Sequence, residues 1–167
     1  MNFSELIARR YSVRSYRALP IEAEKLQCVL EAARLAPTAA NRQPFRIYVI
    51  RTAGRADDLK RIYHKAWFSQ APLVLCVCGL PGQAWVRGDG QSYLAVDVAI
   101  VMDHLTLAAA DLGLGTCWIA DFNAAAARKV LALPVGVEPV IFSPLGYPAD
   151  QLSPKNRKPL SDLVSYM

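Results

Sequence analysis

The stretch LAVDVAIVMDHLTLAAADLG, residues 94–113, decides the fold of this chain. It is apolar almost all the way round a helical wheel, so we expect both sides of the helix to be covered. Asp97, Asp103, His104 and Asp111 interrupt it, and a membrane-spanning helix tolerates such residues poorly. The chain has only 167 residues, of which 53% are hydrophobic. The stretch therefore predicts a central helix with a second subunit packed against it.

Length and composition indicate one compact domain over residues 1–167. The net charge of +5, from 19 Lys and Arg against 14 Asp and Glu, is weak evidence for a polyanionic partner. The first residues lack the apolar run of a signal peptide, so we expect a cytoplasmic location. The four cysteines form no CxxC pair and lie near no histidine pair, which argues against zinc and favours thiols in a reducing compartment.

Outward from the central helix, helices and strands follow one another without regular βαβ alternation, which predicts the α+β class. The elements expected are a short helix capped by Ser4, a helix over 21–36 stopped by Pro37, a strand over 45–51, a surface helix over 57–67, a buried strand over 72–80, a glycine-rich loop over 81–91, a strand within 113–122, a helix capped by Asn123, and a strand over 139–148. Cys76 and Cys78 alternate within the buried strand and should point to one face.

Three polar segments lie outside this framework. RRYSVRSYR, residues 9–17, interleaves four arginines with hydroxyl groups and suits an anion. APTAANRQPF, residues 36–45, offers the amides of Asn41 and Gln43 to a polar ring edge. PKNRKPL, residues 154–160, is a second basic cluster. Taken singly, each fits an ordinary solvated loop, and the first also fits nucleic-acid binding.

No nucleophile–base pair, P-loop or metal cluster is visible, so an enzyme with this sequence would need a cofactor to supply its chemistry. The three segments occur in order, with GLGTCWIADF between the second and the third. Together, RRYSVRSY, AARLAPTAANRQPFRIYVI, AAADLGLGTCWIADF and SPLGYPADQLSPKNRKPL give the chain a resemblance to the nitroreductase family of FMN-dependent oxidoreductases, in its short form. The resemblance implies a mixed central β-sheet flanked by helices, in an intertwined homodimer with two flavin sites at the subunit interface.

The resemblance also implies which residues hold the cofactor. The phosphate motif falls on Arg10, Tyr11, Ser12 and Arg14, and a second pair of cations falls on Lys155 and Arg157. Tyr11 departs from the pattern, because arginine or histidine is usual there. Arg9 precedes the motif and is expected to make no contact.

The flavin ring is expected to lie between two further segments. Pro37, Thr38, Ala39 and Asn41 would approach it from the other subunit. Trp118, Ile119 and Ala120 would lie along the isoalloxazine, with the backbone N–H of Ala120 reaching flavin N5. Trp85, Trp67 and Phe68 are candidates for lining the substrate pocket, and for Trp67 and Phe68 core packing is an equally open interpretation.

The activity implied is reduction of nitroaromatic, quinone or similar electron-poor acceptors by FMN with NADH or NADPH, in a ping-pong mechanism. No side chain is assigned as catalytic and no metal is expected. The partners expected are a second copy of the chain and a small-molecule acceptor, with no nucleic acid and no membrane. Two alternatives remain: a specialised flavin reaction such as reductive dehalogenation, and a non-catalytic module that binds anions or nucleic acid.

Overall fold

The computed structural model describes residues 2–152 and 154–167. The helices are α1 Phe3–Arg9, α2 Ala23–Arg34, α3 Ala56–Ile62, α4 Trp67–Gln70, α5 Leu94–Asp111 and α6 Ala124–Val130, and short 3-10 turns cover Ala39–Asn41, Pro81–Gln83 and Leu160–Asp162. The strands are β1 Phe45–Arg51, β2 Leu73–Gly79, β3 Gly115–Thr116 and β4 Glu138–Gly146. The predicted α+β class is confirmed.

The four strands form one sheet in the order β1-β2-β4-β3, and all its neighbouring strands pair antiparallel. The mixed sheet that the sequence analysis expected is therefore wrong for these strands. Among the described residues, a parallel pairing occurs only at the isolated bridge between Ser12 and Thr116. The connections between β1 and β2 and between β2 and β4 are long and contain helices, so the antiparallel order comes from how the strands pair and not from short hairpin turns.

The two faces of the sheet are covered by different helices. Helices α2 and α5 pack with one face into a core that includes Val29, Leu75 and Met102. Helices α3, α4 and α6 cover the other face around Phe68 and Phe142. Cys76 and Cys78 are fully buried, with their sulfurs 3.5 Å apart, so their predicted common orientation is confirmed.

Helix α5 follows the central helix predicted from the sequence. Its inner side is buried, and the buried residues include Val98, Leu105 and the carboxylate-bearing Asp97. Its outer side forms a shallow depression of about 490 Å³ that is open to solvent in the single chain. The residues that line it are Ala95, Val96, Ala99, Ile100, Asp103 and His104. One chain thus covers only one side of its most apolar helix.

Two predictions about helix boundaries are wrong. Helix α1 is capped by Asn2 in a capping box with Glu5, and Ser4 lies inside the helix. The surface helix predicted over 57–67 is split, because Tyr63 is extended at the end of α3. Its ring packs edge-on against Trp67 and Phe68, each with centroids 5.5 Å away, and this aromatic packing outweighs continuation of the helix.

The N-cap of α6 and the C-terminal end of α2 agree with the predictions from the sequence. Asn123 caps α6 by accepting a hydrogen bond from the N–H of Ala126 at 2.9 Å. Helix α2 ends before Pro37, as proline requires. Within the described part of the chain, no helix combines the length and apolar character needed to cross a membrane.

Candidate functional site

The basic N-terminal arm, residues 10–17, is extended and lies between β3 and the residues that follow β4. The N–H of Val13 donates to the carbonyl of Thr116 at 2.9 Å, and the N–H of Arg17 donates to Tyr147 at 2.9 Å. Val13 is buried against Gly115, where a Cβ atom would lie 2.6 Å from a Val13 methyl. The glycine therefore permits the close approach of the arm to the sheet, which fixes the direction of the neighbouring side chains.

Both predicted phosphate-binding segments line one cavity of about 470 Å³, which we call the basic cavity. Its walls are formed by Arg10, Tyr11, Ser12, Arg14, Asp150, Gln151, Pro154, Lys155, Asn156 and Arg157. The structure thus brings together six predicted residues that come from the two ends of the chain. Arg9 lines a different cavity.

The cations of the basic cavity form no ion pairs with carboxylates of the described residues. Among the described residues, Arg10, Arg14, Lys155 and Arg157 belong to none of the salt bridges. The Lys155 ammonium donates to the carbonyl oxygen of Ile7 at 2.6 Å, near the end of α1. Burial, followed by the charges of Arg10 and Arg157, lowers the pKa of Lys155. Mutually repelling cations held together in this way favour a bound anion.

Asp150 lies in the same cavity and was not predicted. One carboxylate oxygen accepts the backbone N–H of Arg14 at 2.7 Å, and the Tyr11 hydroxyl donates to the other at 3.2 Å. In the sequence, only its position between GYP and the second basic cluster pointed to it. Its partners lie more than 130 residues away, so no local pattern could identify the contact.

A second cavity, of about 140 Å³, lies beside the basic cavity and shares Arg14 with it. Its walls are formed by Arg14, Tyr63, Trp67, Cys117, Trp118, Ile119, Ala120 and Asp121. We call it the Trp118 cavity. The three residues predicted to lie along a flat ring are therefore close to the predicted phosphate site, and Arg14 connects the two.

The segment 118–120 presents alternate residues to solvent. Trp118 is 39% exposed, whereas Ile119 is 4% exposed and packs into the core. The N–H and the carbonyl of Ile119 pair with Phe142 at 2.9 and 3.0 Å, which anchors the segment to β4. In the described part of the chain, the N–H of Ala120 makes no hydrogen bond and remains available as a donor.

Residues 37–43 form a strained loop, and Pro37, Thr38, Ala39 and Asn41 line neither of these two cavities. Ala40, Asn41 and Gln43 all have φ near +50°, a left-handed conformation that side chains rarely adopt. The loop is held by local hydrogen bonds, including one from the Gln43 N–H to the Thr38 hydroxyl at 3.0 Å. Asn41 is exposed at its tip.

The aromatic candidates for pocket lining have three different positions. Trp67 lines the Trp118 cavity. Phe68 is completely buried in the core, so pocket lining is excluded for it in the single chain. Trp85 packs edge-on against Tyr93, with centroids 5.0 Å apart, in a small hairpin that the structure shows where the glycine-rich loop was predicted.

Comparison with known proteins identifies the family of the chain. The model described as Nitroreductase family matches residues 7–72 and 58–147. A solved nitroreductase family protein from Clostridium difficile 630 is 40% identical, with a TM-score of 0.91 over 99% of this chain and 98% of that one. The FMN reductase (NAD(P)H) of Bacillus subtilis is 30% identical over 89% of this chain and 66% of its own length. The NADH dehydrogenase of Thermus thermophilus is 29% identical over 93% of this chain and 91% of its own length.

Proposed function

The chain belongs to the nitroreductase family, and from that premise we propose that it is an FMN-dependent oxidoreductase that takes hydride from NADH or NADPH and reduces electron-poor acceptors such as nitroaromatics and quinones. The observation that carries the proposal is the basic cavity. Four cations without ion-pair partners in the described chain surround a space beside an exposed tryptophan and a free backbone N–H. Two relatives that are similar to this chain carry names that specify a nicotinamide cofactor, and one of them names FMN.

The basic cavity fits the phosphate of FMN in charge and in donor type. Arginines offer paired planar donors and Ser12 offers a short hydroxyl donor, both of which suit phosphate oxygens. Arg10 and Lys155 are half-buried, while Arg14 and Arg157 are exposed at the rim. Cations that close around a terminal phosphate favour FMN over FAD, whose phosphate is linked onward to an adenylate.

The Trp118 cavity fits one edge of the flavin ring. The Ala120 N–H would donate to N5, and Trp118 would lie against the ring. Anchoring through Ile119 holds this donor in place before any ligand binds, which is the arrangement that lowers the reorganisation cost of a reaction. Bound FMN would supply the hydride chemistry that no side chain of the site offers.

The partner subunit completes the site in this proposal. The open side of α5 exposes apolar side chains, among them Val96, and a second copy packed there would cover them and make a homodimer. The strained loop at 37–43 lines no part of the site in its own chain. It would instead bring Asn41 to the flavin of the other subunit.

Steady-state kinetics tests the proposed function. Without oxygen, the purified protein loaded with one FMN per subunit should oxidise a single equivalent of NADH or NADPH per flavin, and should turn over continuously only when a nitroaromatic or quinone is present. In this proposal the nicotinamide and the acceptor use the same open face of the bound flavin ring, so they should occupy it in turn. Double-reciprocal plots at several acceptor concentrations should then be parallel, the ping-pong pattern.

Other outcomes separate the alternatives. Intersecting lines would contradict the shared site. Turnover with halogenated aromatics but not with nitroaromatics or quinones would favour reductive dehalogenation. Absence of flavin binding and of turnover would favour the non-catalytic anion-binding module.

A further inference from the structure

Tyr11 and Asp150 form a hydrogen-bonded pair inside the basic cavity. The Tyr11 hydroxyl donates to the backbone carbonyl of Asp150 at 3.0 Å and to its carboxylate at 3.2 Å. The second carboxylate oxygen accepts the Arg14 N–H at 2.7 Å. The Asp150 side chain is therefore bonded to Tyr11 and to Arg14, the first and last residues of the segment 11–14. Ser12 lies between them.

The pair connects the two cation-bearing segments. Asp150 precedes Lys155 and Arg157 by a few residues, and Tyr11 lies between Arg10 and Arg14. Nearby backbone bonds, such as that from the Ala149 N–H to the Ser15 carbonyl at 2.9 Å, hold the two segments side by side in antiparallel orientation. Among the described residues that line the cavity, the side-chain hydrogen bonds that join the two segments are those from the Tyr11 hydroxyl to Asp150 and from the Arg14 N–H to the Asp150 carboxylate.

The hydrogen bonds of Asp150 leave the cations of the basic cavity available to bind an anion. Asp150 uses its two carboxylate oxygens on neutral donors, a phenol and a backbone amide, and not on the guanidinium of Arg14. Its negative charge still offsets the mutual repulsion of the surrounding cations. Burial, followed by the charge of Asp150 and the hydrogen bond to it, raises the pKa of Tyr11, so the hydroxyl stays protonated and can donate at neutral pH.

We propose that Tyr11 and Asp150 are positioning residues that hold the two cationic segments at the separation required by the phosphate of FMN. Tyr11 takes the place at which the family resemblance led us to expect a cation, and it acts through Asp150 instead of through a charge of its own. This inference rests on the proposed FMN function. It predicts that the pair matters for flavins that carry a phosphate and not for the flavin ring.

Tyr11→Phe is the direct test, because it removes one hydroxyl without altering any charge. Its dissociation constants for FMN and for riboflavin, which has no phosphate, should be measured by flavin fluorescence. We expect the FMN dissociation constant to rise about 3- to 10-fold, less than for a lost direct charge-assisted bond to the phosphate, because the hydroxyl acts through Asp150. The riboflavin dissociation constant should be unchanged. Tyr48→Phe is the matched control, since Tyr48 lies in β1 and lines neither cavity.

A double-mutant cycle with Asp150→Ala separates positioning from direct contact. If Tyr11 acts through the Asp150 carboxylate, Tyr11→Phe should weaken FMN binding less in the Asp150→Ala background, where only the bond to the carbonyl of residue 150 remains to be lost. Fully additive effects would mean that the hydroxyl acts independently of that carboxylate, and the inference would be wrong. Equal weakening of FMN and riboflavin by Tyr11→Phe would also overturn it, because that is the result of a general structural defect.

The failure of this inference can be told apart from failure of the proposed function. If the unaltered protein binds FMN and Tyr11→Phe binds it equally well, only the positioning role is lost. If the unaltered protein binds no FMN, the proposed function fails and the positioning role fails with it.

Discussion

The buried carboxylate of Asp97 accepts a hydrogen bond from the backbone N–H of Ala39 at 2.8 Å. Asp97 lies in the first turn of α5, where the helix dipole stabilises a negative charge. Its other oxygen is buried without a partner among the described residues. The long central helix is thereby joined to the strained loop that carries Asn41, and the geometry of that loop depends on a residue far away in the sequence.

Asp97→Ala should loosen the loop at 37–43. A hydrogen bond to a charged group is worth about 1.5–3 kcal/mol, so the Ala39 amide should exchange its hydrogen about ten- to a hundredfold faster. Hydrogen exchange followed by mass spectrometry or NMR measures this directly. Asp103→Ala, on the open side of the same helix, is the control and should leave exchange at Ala39 unchanged. If the Ala39 amide exchanges its hydrogen at the same rate in Asp97→Ala and in Asp103→Ala, the loop is held by its own local hydrogen bonds.

Arg10→Ala should weaken FMN binding without disturbing the fold. The guanidinium of Arg10 lines the basic cavity, so its removal should cost a charge-assisted hydrogen bond and raise the dissociation constant about ten- to a hundredfold. Arg9→Ala removes the same charge from the adjacent residue, which does not line that cavity, and is the matched control. If the two variants weaken binding equally, the effect of Arg10 comes from net charge and not from contact.

Lys155 should make FMN affinity depend on pH in the alkaline range. Burial and the neighbouring charges of Arg10 and Arg157 lower its pKa from the ordinary 10.5, so it loses its proton at a lower pH than a free lysine does. As the pH rises through this lowered pKa, the ammonium is lost and FMN affinity should fall. Lys155→Arg keeps its charge and should bind FMN with constant affinity over the same range. Identical pH profiles for the two proteins would assign the dependence to another group.

The open side of α5 should be the interface of a homodimer. Sedimentation at low micromolar concentration should give the mass of two chains. Ala99→Arg places a charge in the middle of the depression on α5 and should shift the protein towards monomer with weaker flavin binding. Ala125→Arg, on the exposed surface of α6, is the control and should remain dimeric. A wild-type monomer that still holds flavin would contradict both the interface and the role of Asn41.

The parts of the fold that could be predicted from the sequence are those specified by local patterns. Helix α5 is visible in its apolar residues, and α6 in the Asn123 cap. The break at Tyr63 depends on rings that come together only in the folded chain, so the local helical pattern misses it. The antiparallel sheet depends likewise on how the strands pair, and the sequence pattern of single strands carries little of that information.

The candidate site also has one part that a local motif predicts and another part that long-range contacts determine. Arg10, Ser12 and Arg14 form a local motif, and the sequence also pointed to Lys155 and Arg157. The contacts that organise these residues are long-range: Tyr11 meets Asp150, and Ala39 meets Asp97. The left-handed conformation at Ala40 has no signal in the sequence, because alanine carries no preference for it. Tertiary contacts fix such positions, and a motif cannot reveal them.

Titration of the flavin-free protein with FMN shows directly whether the basic cavity binds the phosphate of a flavin. Followed by flavin fluorescence and absorbance, it should saturate at one FMN per subunit, and denaturation should release the flavin unchanged, since no covalent link is expected. FMN should bind more tightly than riboflavin, which lacks the phosphate, and more tightly than FAD, whose phosphate is linked onward. A protein that takes up no FMN, or that binds riboflavin as tightly as FMN, would contradict the assignment of the basic cavity as a phosphate site.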